Sequence, residues 1–268
     1  GHEVTGLART DESASKIGAA GARVLKGSLS DLEILEQGAS KADGVIHTAF
    51  VHDFNSFANA NDIDKAAIEA MGKALEGTSK PIIVTAGILG LPTTNGFITE
   101  ADASPDFPRA SEAMAMALAG RGVNASVVRL SPSVHAKGDK GFVPFIISQA
   151  RKHGVSAYTG EGNNRWPAVH RLDAAHLFCL AIEKALKGAR YNAVADSGIT
   201  IKEIAELIGE AVKLPVRSIA GEELVAHFEW MSRFIGFDAP ATSYKTQEDL
   251  GWKPTHPGLI EDMRANYF

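Results

Sequence analysis

The chain has 268 residues, 45% of them hydrophobic and 22% charged, the balance of a folded globular protein with material for one large or two small domains. A formal charge of −5, from 27 basic and 32 acidic residues, comes without the Lys/Arg cluster that nucleic-acid binding needs. No run of about 18 apolar residues offers a membrane span, and the single Cys179 excludes an internal disulfide or a cysteine-rich metal site. These traits point to a cytoplasmic protein that handles small molecules and binds neither nucleic acid nor membrane.

The chain enters at Gly1, read as the C-terminal residue of a helix, with no secretory leader pattern after it. Short β-branched runs then alternate with Ala-rich helical patterns. Strands are expected at 4–7, 23–26, 44–47, 81–85 and 125–130, with helices between them at 11–20, 31–37, 62–75 and 110–120. Val45-Ile46 and Ile82-Ile83-Val84 are continuous apolar runs, as in strands buried on both faces of a parallel sheet. In the third helix Ile63, Ala66, Ala67, Ala70 and Met71 recur at helical spacing. This alternation predicts βαβ units and an open parallel sheet. Beyond residue 130, Pro, Gly and aromatic residues become denser, and helices are expected at 143–152, 172–184, 200–212 and 258–266. Thr200 with Glu203 three residues on is a capping-box start. Two parts follow: a sheet-building dinucleotide-binding part at 1–130 and a smaller, irregular α/β substrate-binding part at 131–268.

In open parallel sheets, ligands sit beyond the carboxyl ends of the strands. Arg9 follows the first strand; a guanidinium there suits a ribose 2′-phosphate, although a solvated loop Arg is the simpler reading. After the second strand, Ser30 or Asp31 can cap a helix. His47 closes the third strand and reads first as a packed, hydrogen-bonded histidine. Thr85 places a hydroxyl at the end of the fourth strand. Asn163-Asn164-Arg165-Trp166 suits a substrate wall and equally a cap on the core. Metal-ligand spacing such as H-E-x-x-H and the G-x-S-x-G elbow are both lacking.

Four segments, in order, resemble the extended branch of the short-chain dehydrogenase/reductase superfamily, the NAD(P)-dependent epimerase/dehydratase family. Asp43-Gly44-Val45-Ile46-His47-Thr48-Ala49 is similar to its D-x-V-x-H-x-A strand, and the segment from Arg129 to His135 to its L-R-x-x-x-V-Y-G segment. Ala168-Val169-His170-Arg171-Leu172-Asp173-Ala174-Ala175 resembles V-H-V-x-D-x-A, and Leu250-Gly251-Trp252-Lys253-Pro254 resembles L-G-W-x-P. The resemblance implies a Rossmann-like doubly wound sheet and an NADP cofactor, with NAD as the other choice. It places Ser28 and Leu29 by the adenine, Thr48, Ala49 and Phe50 along the cofactor, and Pro132, Ser133 and Val134 by the nicotinamide. The helices at 62–75 and 110–120 become candidates for a homodimer contact.

Two departures qualify it. The family's first strand and Gly-rich turn, whose backbone N–H groups face the pyrophosphate, are not in this sequence. Their loss is expected to leave unpaired strand edges. The family's Tyr-x-x-x-Lys pair falls on Pro108 and Glu112; proline does not titrate, and a carboxylate does not lower a phenol pKa. Thr85 survives from the usual catalytic set. His135 is the candidate replacement acid, with Tyr158, Arg165, Trp166, His170 and Arg171 as candidate substrate contacts. The leading expectation is an atypical NAD(P)-dependent oxidoreductase or epimerase-like enzyme for a small carbonyl- or hydroxyl-bearing substrate. The alternatives are a non-catalytic dinucleotide sensor and a fragment without activity.

Overall fold

Strand and helix alternate along the first half of the chain as its apolar runs require, and the architecture is α/β with a Rossmann-like parallel sheet. The computed structural model describes residues 1–51, 57–104 and 109–268. Two units divide them: 1–84, 110–126 and 185–188 form the first, and 85–109, 127–184 and 189–268 the second. A single cut after residue 130 does not reproduce this division, because two strands begin in the first unit and end in the second.

In the first unit, β1 (Thr5–Ala8) and β2 (Arg23–Lys26) pair in parallel, Thr5 opposite Arg23 and Ala8 opposite Lys26. Helix α1 (Asp11–Ala19) joins them. Thr10 Oγ1 accepts the Ser13 N–H at 3.2 Å, and Asp11 and Glu12 favour the positive end of the helix dipole. Next come α2 (Leu32–Lys41), β3 (Val45–His47), α3 (Phe57–Leu75), β4 (Pro81–Gly87), α4 (Ser111–Gly120) and β5 (Asn124–Leu130). β3 runs parallel to β4, Val45 opposite Ile82 and His47 opposite Val84. Ile82, Ile83 and Val84 are fully buried, so their unbroken apolar run is a strand covered on both faces. α1, by contrast, buries no residue, and among the described residues no ladder joins β1 to β3. Helices α3 and α4 pack closely: a Cβ at Gly72 would lie 2.3 Å from Leu118 Cδ2. Of the Ala-rich faces considered for a homodimer contact, Ala67 and Ala115 are buried within this unit, whereas Ala66, Ala113 and Ala117 are exposed.

β4 and β5 carry on into the second unit, where β5 pairs in parallel with β9 (Arg190–Ala193), completing the order β3-β4-β5-β9. Between them lie β6 (Ser133–His135), α5 (Phe142–His153), β7 (Ser156–Tyr158), β8 (Arg165–His170) and α6 (Arg171–Lys184). β10 (Asp196–Thr200), α7 (Ile201–Val212), β11 (Val216–Ser218), α8 (Gly221–Phe228), a 3-10 turn (Glu229–Arg233), α9 (Tyr244–Leu250) and α10 (Leu259–Asn266) follow. β8 is the middle strand of the sheet β10-β8-β6, and β7 pairs with β11. Thr200 caps α7 as its spacing to Glu203 predicts, accepting that residue's N–H at 3.1 Å. The core gathers Val143, Ile146, Trp166, Ile204, Ile208, Phe228 and Met231.

Two local expectations need correction. Asp31 occupies the cap position of α2, but its carboxylate turns backward to accept the Ser28 N–H and hydroxyl at 2.7 and 2.8 Å. Residues 133–135, outside the expected strands, form one, since His135 lies opposite His170 in a ladder with β8.

Candidate functional site

The first unit centres its polar chemistry on a carboxylate absent from the sequence-based candidates. α3 turns Ala60, Asp64, Ala67, Ile68 and Met71 inward at helical spacing, so Asp64 takes a core position and is 1% exposed. Its Oδ1 lies 2.7 Å from His47 Nε2 at the end of β3, and its Oδ2 accepts the Ser111 hydroxyl at 2.5 Å. Beside them Asn61 Oδ1 accepts the Ala110 N–H at 3.2 Å. The carboxylate stands between serine and histidine, so the hydroxyl donates to Asp64 and not to the imidazole. That order does not generate a serine nucleophile. His47 is thus the packed, bonded histidine of the simpler reading. The one clue to Asp64 in the sequence is an acid placed on an otherwise apolar helix face.

The expected cofactor residues of this unit each follow the carboxyl end of a strand. Arg9, Thr48 and Ala49 are exposed; Leu29 is half-buried. Ser28 is tied to Asp31, and the Phe50 ring lies 6.0 Å from that of Phe57. Glu112 is 9% exposed at the start of α4, whereas Pro108 lies outside the described residues.

In the second unit Thr85 and Ser133 are 3% and 2% exposed, and neither hydroxyl has a partner among the described residues. Ser131 Oγ donates to the Ala193 carbonyl at 2.7 Å. Pro132 and Val134 alternate with these buried serines and are half-buried. A buried hydroxyl without a partner costs about 1–3 kcal/mol, an amount that a ligand's polar atom can offset. Each of these two hydroxyls has the chemistry to meet a polar ligand atom.

The ladder between β6 and β8 also builds a row of imidazoles. His135 is fully buried; its Nδ1 lies 2.8 Å from Asp262 Oδ2, and its Nε2 has no partner among the described residues. The His170 ring stands edge-on to it at 5.4 Å and lies flat on His256 at 4.5 Å. His256 Nδ1 is 2.8 Å from Asp173 Oδ1, and that carboxylate also accepts the Thr255 and His256 N–H groups at 3.1 Å. His170 Nδ1 accepts the Leu172 N–H at 3.2 Å, which requires an unprotonated nitrogen. Burial and the neighbouring His256 and His135 push the His170 pKa down, against the opposing pull of Asp262 and Asp173. For Asp173, burial pushes upward but is outweighed by the His256 ring and the two N–H donors, so its carboxyl titrates below the ordinary range. Among the described residues no group of three or more His, Cys, Asp or Glu side chains is arranged to hold a metal.

The remaining substrate candidates do not converge on this row. Tyr158 sits under the Lys202 ammonium, 5.7 Å from the ring centroid. Arg165 makes a two-pronged contact with Asp238 at 3.1 and 2.9 Å. Trp166 is fully buried and donates its Nε1–H to the Phe237 carbonyl, the core alternative of the two weighed for it. Arg171 is exposed and reaches the Lys137 carbonyl at 3.5 Å. His256 and Asp262 escape a reading by sequence, because they lie 83 and 127 positions from the partners they bond, whereas Asp173 appears there only within a resembling segment.

No protein-family model matches the chain. In fold it is similar to UDP-glucose 4-epimerase of Thermotoga maritima, solved with UDP-glucose, at a TM-score of 0.75 and 17% identity over 99% of this chain and 92% of that one. A dTDP-glucose 4,6-dehydratase double mutant of Streptomyces venezuelae, solved with NAD bound, gives 0.74 and 17% over 98% and 88%. The fold is therefore that of the epimerase/dehydratase enzymes. An uncharacterized protein of Schizosaccharomyces pombe is 46% identical over all of this chain and 92% of its own length. The chain belongs to the family of that fungal protein.

Proposed function

We propose that the chain is a cytoplasmic oxidoreductase or epimerase-like enzyme that prefers NADP to NAD and acts on a small carbonyl- or hydroxyl-bearing substrate. The observation that carries this reading is fold likeness across nearly the whole chain to an enzyme solved with NAD bound. A bound nicotinamide supplies hydride chemistry. The chain supplies the exposed Arg9 guanidinium for a 2′-phosphate. It also supplies the buried, unpartnered Thr85 hydroxyl to orient a reacting oxygen. Titration of NADPH and NADH against the protein tests it. Arg9→Glu is expected to weaken NADPH at least about tenfold while sparing NADH, and Thr85→Ala to lower turnover with either cofactor still bound. If neither dinucleotide binds, the reading fails.

A second reading, a dinucleotide sensor without turnover, is favoured by Glu112, a buried acid where the resembling family carries lysine. NADPH oxidation over a panel of carbonyl compounds decides between them. Turnover that falls in Thr85→Ala removes the sensor.

A further inference from the structure

A small cleft opens on the second unit, lined by none of the residues expected to hold cofactor or substrate. It encloses about 180 Å³ between the turn at 138–139, Pro144, Ile147, Arg151, Asn266 and Tyr267. Sites for drug-sized ligands run to roughly 300–1,000 Å³, so the occupant of this one is smaller than a nucleotide. Helix α5 supplies one wall, because Pro144, Ile147 and Arg151 stand three and four positions apart and share a face. Ile147 is 3% exposed, and Pro144 and Tyr267 are half-buried, which gives the cleft an apolar side.

Its polar side carries two opposite charges, neither of them compensated. Arg151 is exposed and has no hydrogen-bond or ion-pair partner among the described residues, whereas the adjacent Lys152 is matched by Glu229. Asp139 accepts the Gly141 N–H on Oδ1 and the Tyr267 hydroxyl on Oδ2, both at 2.7 Å. Both donors are neutral, so among the described residues the carboxylate has no cation. Burial first, then the bond to Asp139, push the Tyr267 pKa up, so the phenol keeps its proton and continues to donate. Those two bonds fix the direction of the carboxylate. A 2.7 Å bond from Asn266 Nδ2 to Asp262 Oδ1 fixes the end of α10 beside it. The geometry thus exists before any ligand arrives, which lowers the ordering cost of binding. The last turn of a helix favours a cation through its dipole, and that alone would explain Arg151 as a surface residue. It does not explain an uncompensated carboxylate in the same cleft.

We propose that this cleft binds a small zwitterion, a free α-amino acid with a short branched apolar side chain. Arg151 takes its carboxylate, Asp139 its ammonium, and Pro144, Ile147 and the Tyr267 ring its side chain. A phosphate or a dicarboxylate would bring a second negative charge against Asp139, and a simple amine would leave Arg151 unanswered. The oxidoreductase reading uses none of these residues, so the two stand or fall separately.

Saturation-transfer NMR titration of L-valine tests the site, with isovalerate (valine without its ammonium), isobutylamine (valine without its carboxylate) and inorganic phosphate titrated alongside. Valine is expected to bind, and each half-ligand to bind about tenfold more weakly. Arg151→Gln is expected to weaken valine about tenfold and to leave isobutylamine unchanged. Asp139→Asn is expected to weaken valine to a similar degree and to leave isovalerate unchanged. Arg151 is exposed, so its variant keeps the test decisive if Asp139→Asn fails to fold. Arg233→Ala, which removes an exposed cation on the 3-10 turn, should leave valine binding unchanged. Valine that does not bind, or that binds the native chain and Arg151→Gln equally, overturns the proposal. So does phosphate that binds through Arg151 as tightly as valine, which would make the cleft a simple anion site.

Discussion

Each unit bonds histidine to aspartate, yet the two arrangements carry load differently. In the first unit one carboxylate serves two partners, Asp64 holding His47 on one oxygen and the Ser111 hydroxyl on the other. In the second the task is shared: Asp262 holds His135, Asp173 holds His256, and His170 stands between them bonded to backbone. A shared carboxylate concentrates stability in a single side chain. A distributed row spreads it, and together with burial keeps the pKa of its middle ring, His170, low.

The largest expected effect follows from that concentration. Asp64→Ala removes two buried hydrogen bonds to one carboxylate at once, each worth about 1.5–3 kcal/mol, so urea unfolding should show a loss of about 4 kcal/mol. Asp64→Asn retains an acceptor for Ser111 and a donor toward His47, and should lose less than half as much. Asp262→Ala strands one fully buried ring nitrogen, its other partner Asn266 being exposed, and should lose about 1–3 kcal/mol. Equal losses at Asp64 and Asp262 would break the contrast.

Acid sharpens it from the other side. The second unit contains a further imidazole, His227, whose Nε2 is buried without a partner among the described residues and whose ring lies 4.8 Å from that of His153. Burial first, then His153 and Arg217, push its pKa down to about 4. The unfolded chain then binds a proton that the folded chain refuses. His227 therefore leaves stability intact above pH about 6.5 and erodes it as pH falls toward about 4, by up to about 3 kcal/mol. His170 contributes in the same direction, losing stability below its ordinary pKa, because protonation at Nδ1 breaks its bond to the Leu172 N–H at the start of α6. Asp173 acts in the same direction in a lower window: its lowered carboxyl adds stability above the ordinary carboxylate pKa and gives it up only in stronger acid. Melting curves between pH 7 and 4 should thus be flatter in His227→Phe than in the native chain. Parallel curves would place the acid sensitivity elsewhere.

The same contrast marks how much could be read without coordinates. Ile82-Ile83-Val84 announces a strand buried on both faces, and Thr200 with Glu203 announces a helix start, because both signals are local and both are physically enforced by burial and capping. β6, β7 and β11 have three residues each, too few to show a period of two, and they exist through ladders to distant strands. The site divides likewise. Thr85 was legible as a hydroxyl at a strand end, and it is a buried hydroxyl without a partner among the described residues. Asp64 was hidden in a helix whose apolar face drew attention to its alanines. Asn163-Asn164-Arg165-Trp166 was legible as a polar-aromatic cluster, but its partners Ile235 and Phe237, which bond Asn164 and Trp166, come from a segment some seventy positions on.

Backbone strain gives the smallest effect. Lys213 and Glu229, both in the second unit, sit at positive φ without being glycine. Lys213 closes α7 in the left-handed conformation, φ 57° and ψ 47°, with its N–H bonded to the Gly209 carbonyl, and it is exposed. That geometry is a helix C-terminal stop that glycine adopts without steric cost. Lys213→Gly should therefore stabilise the protein by about 0.5–1 kcal/mol in urea melts. Strain at Lys213 serves only the helix end, whereas strain at Glu229 positions Trp230. A Lys213→Gly variant that lost stability would show that the left-handed residue is no cost at this helix end, and the distinction between the two strained positions would have to be abandoned.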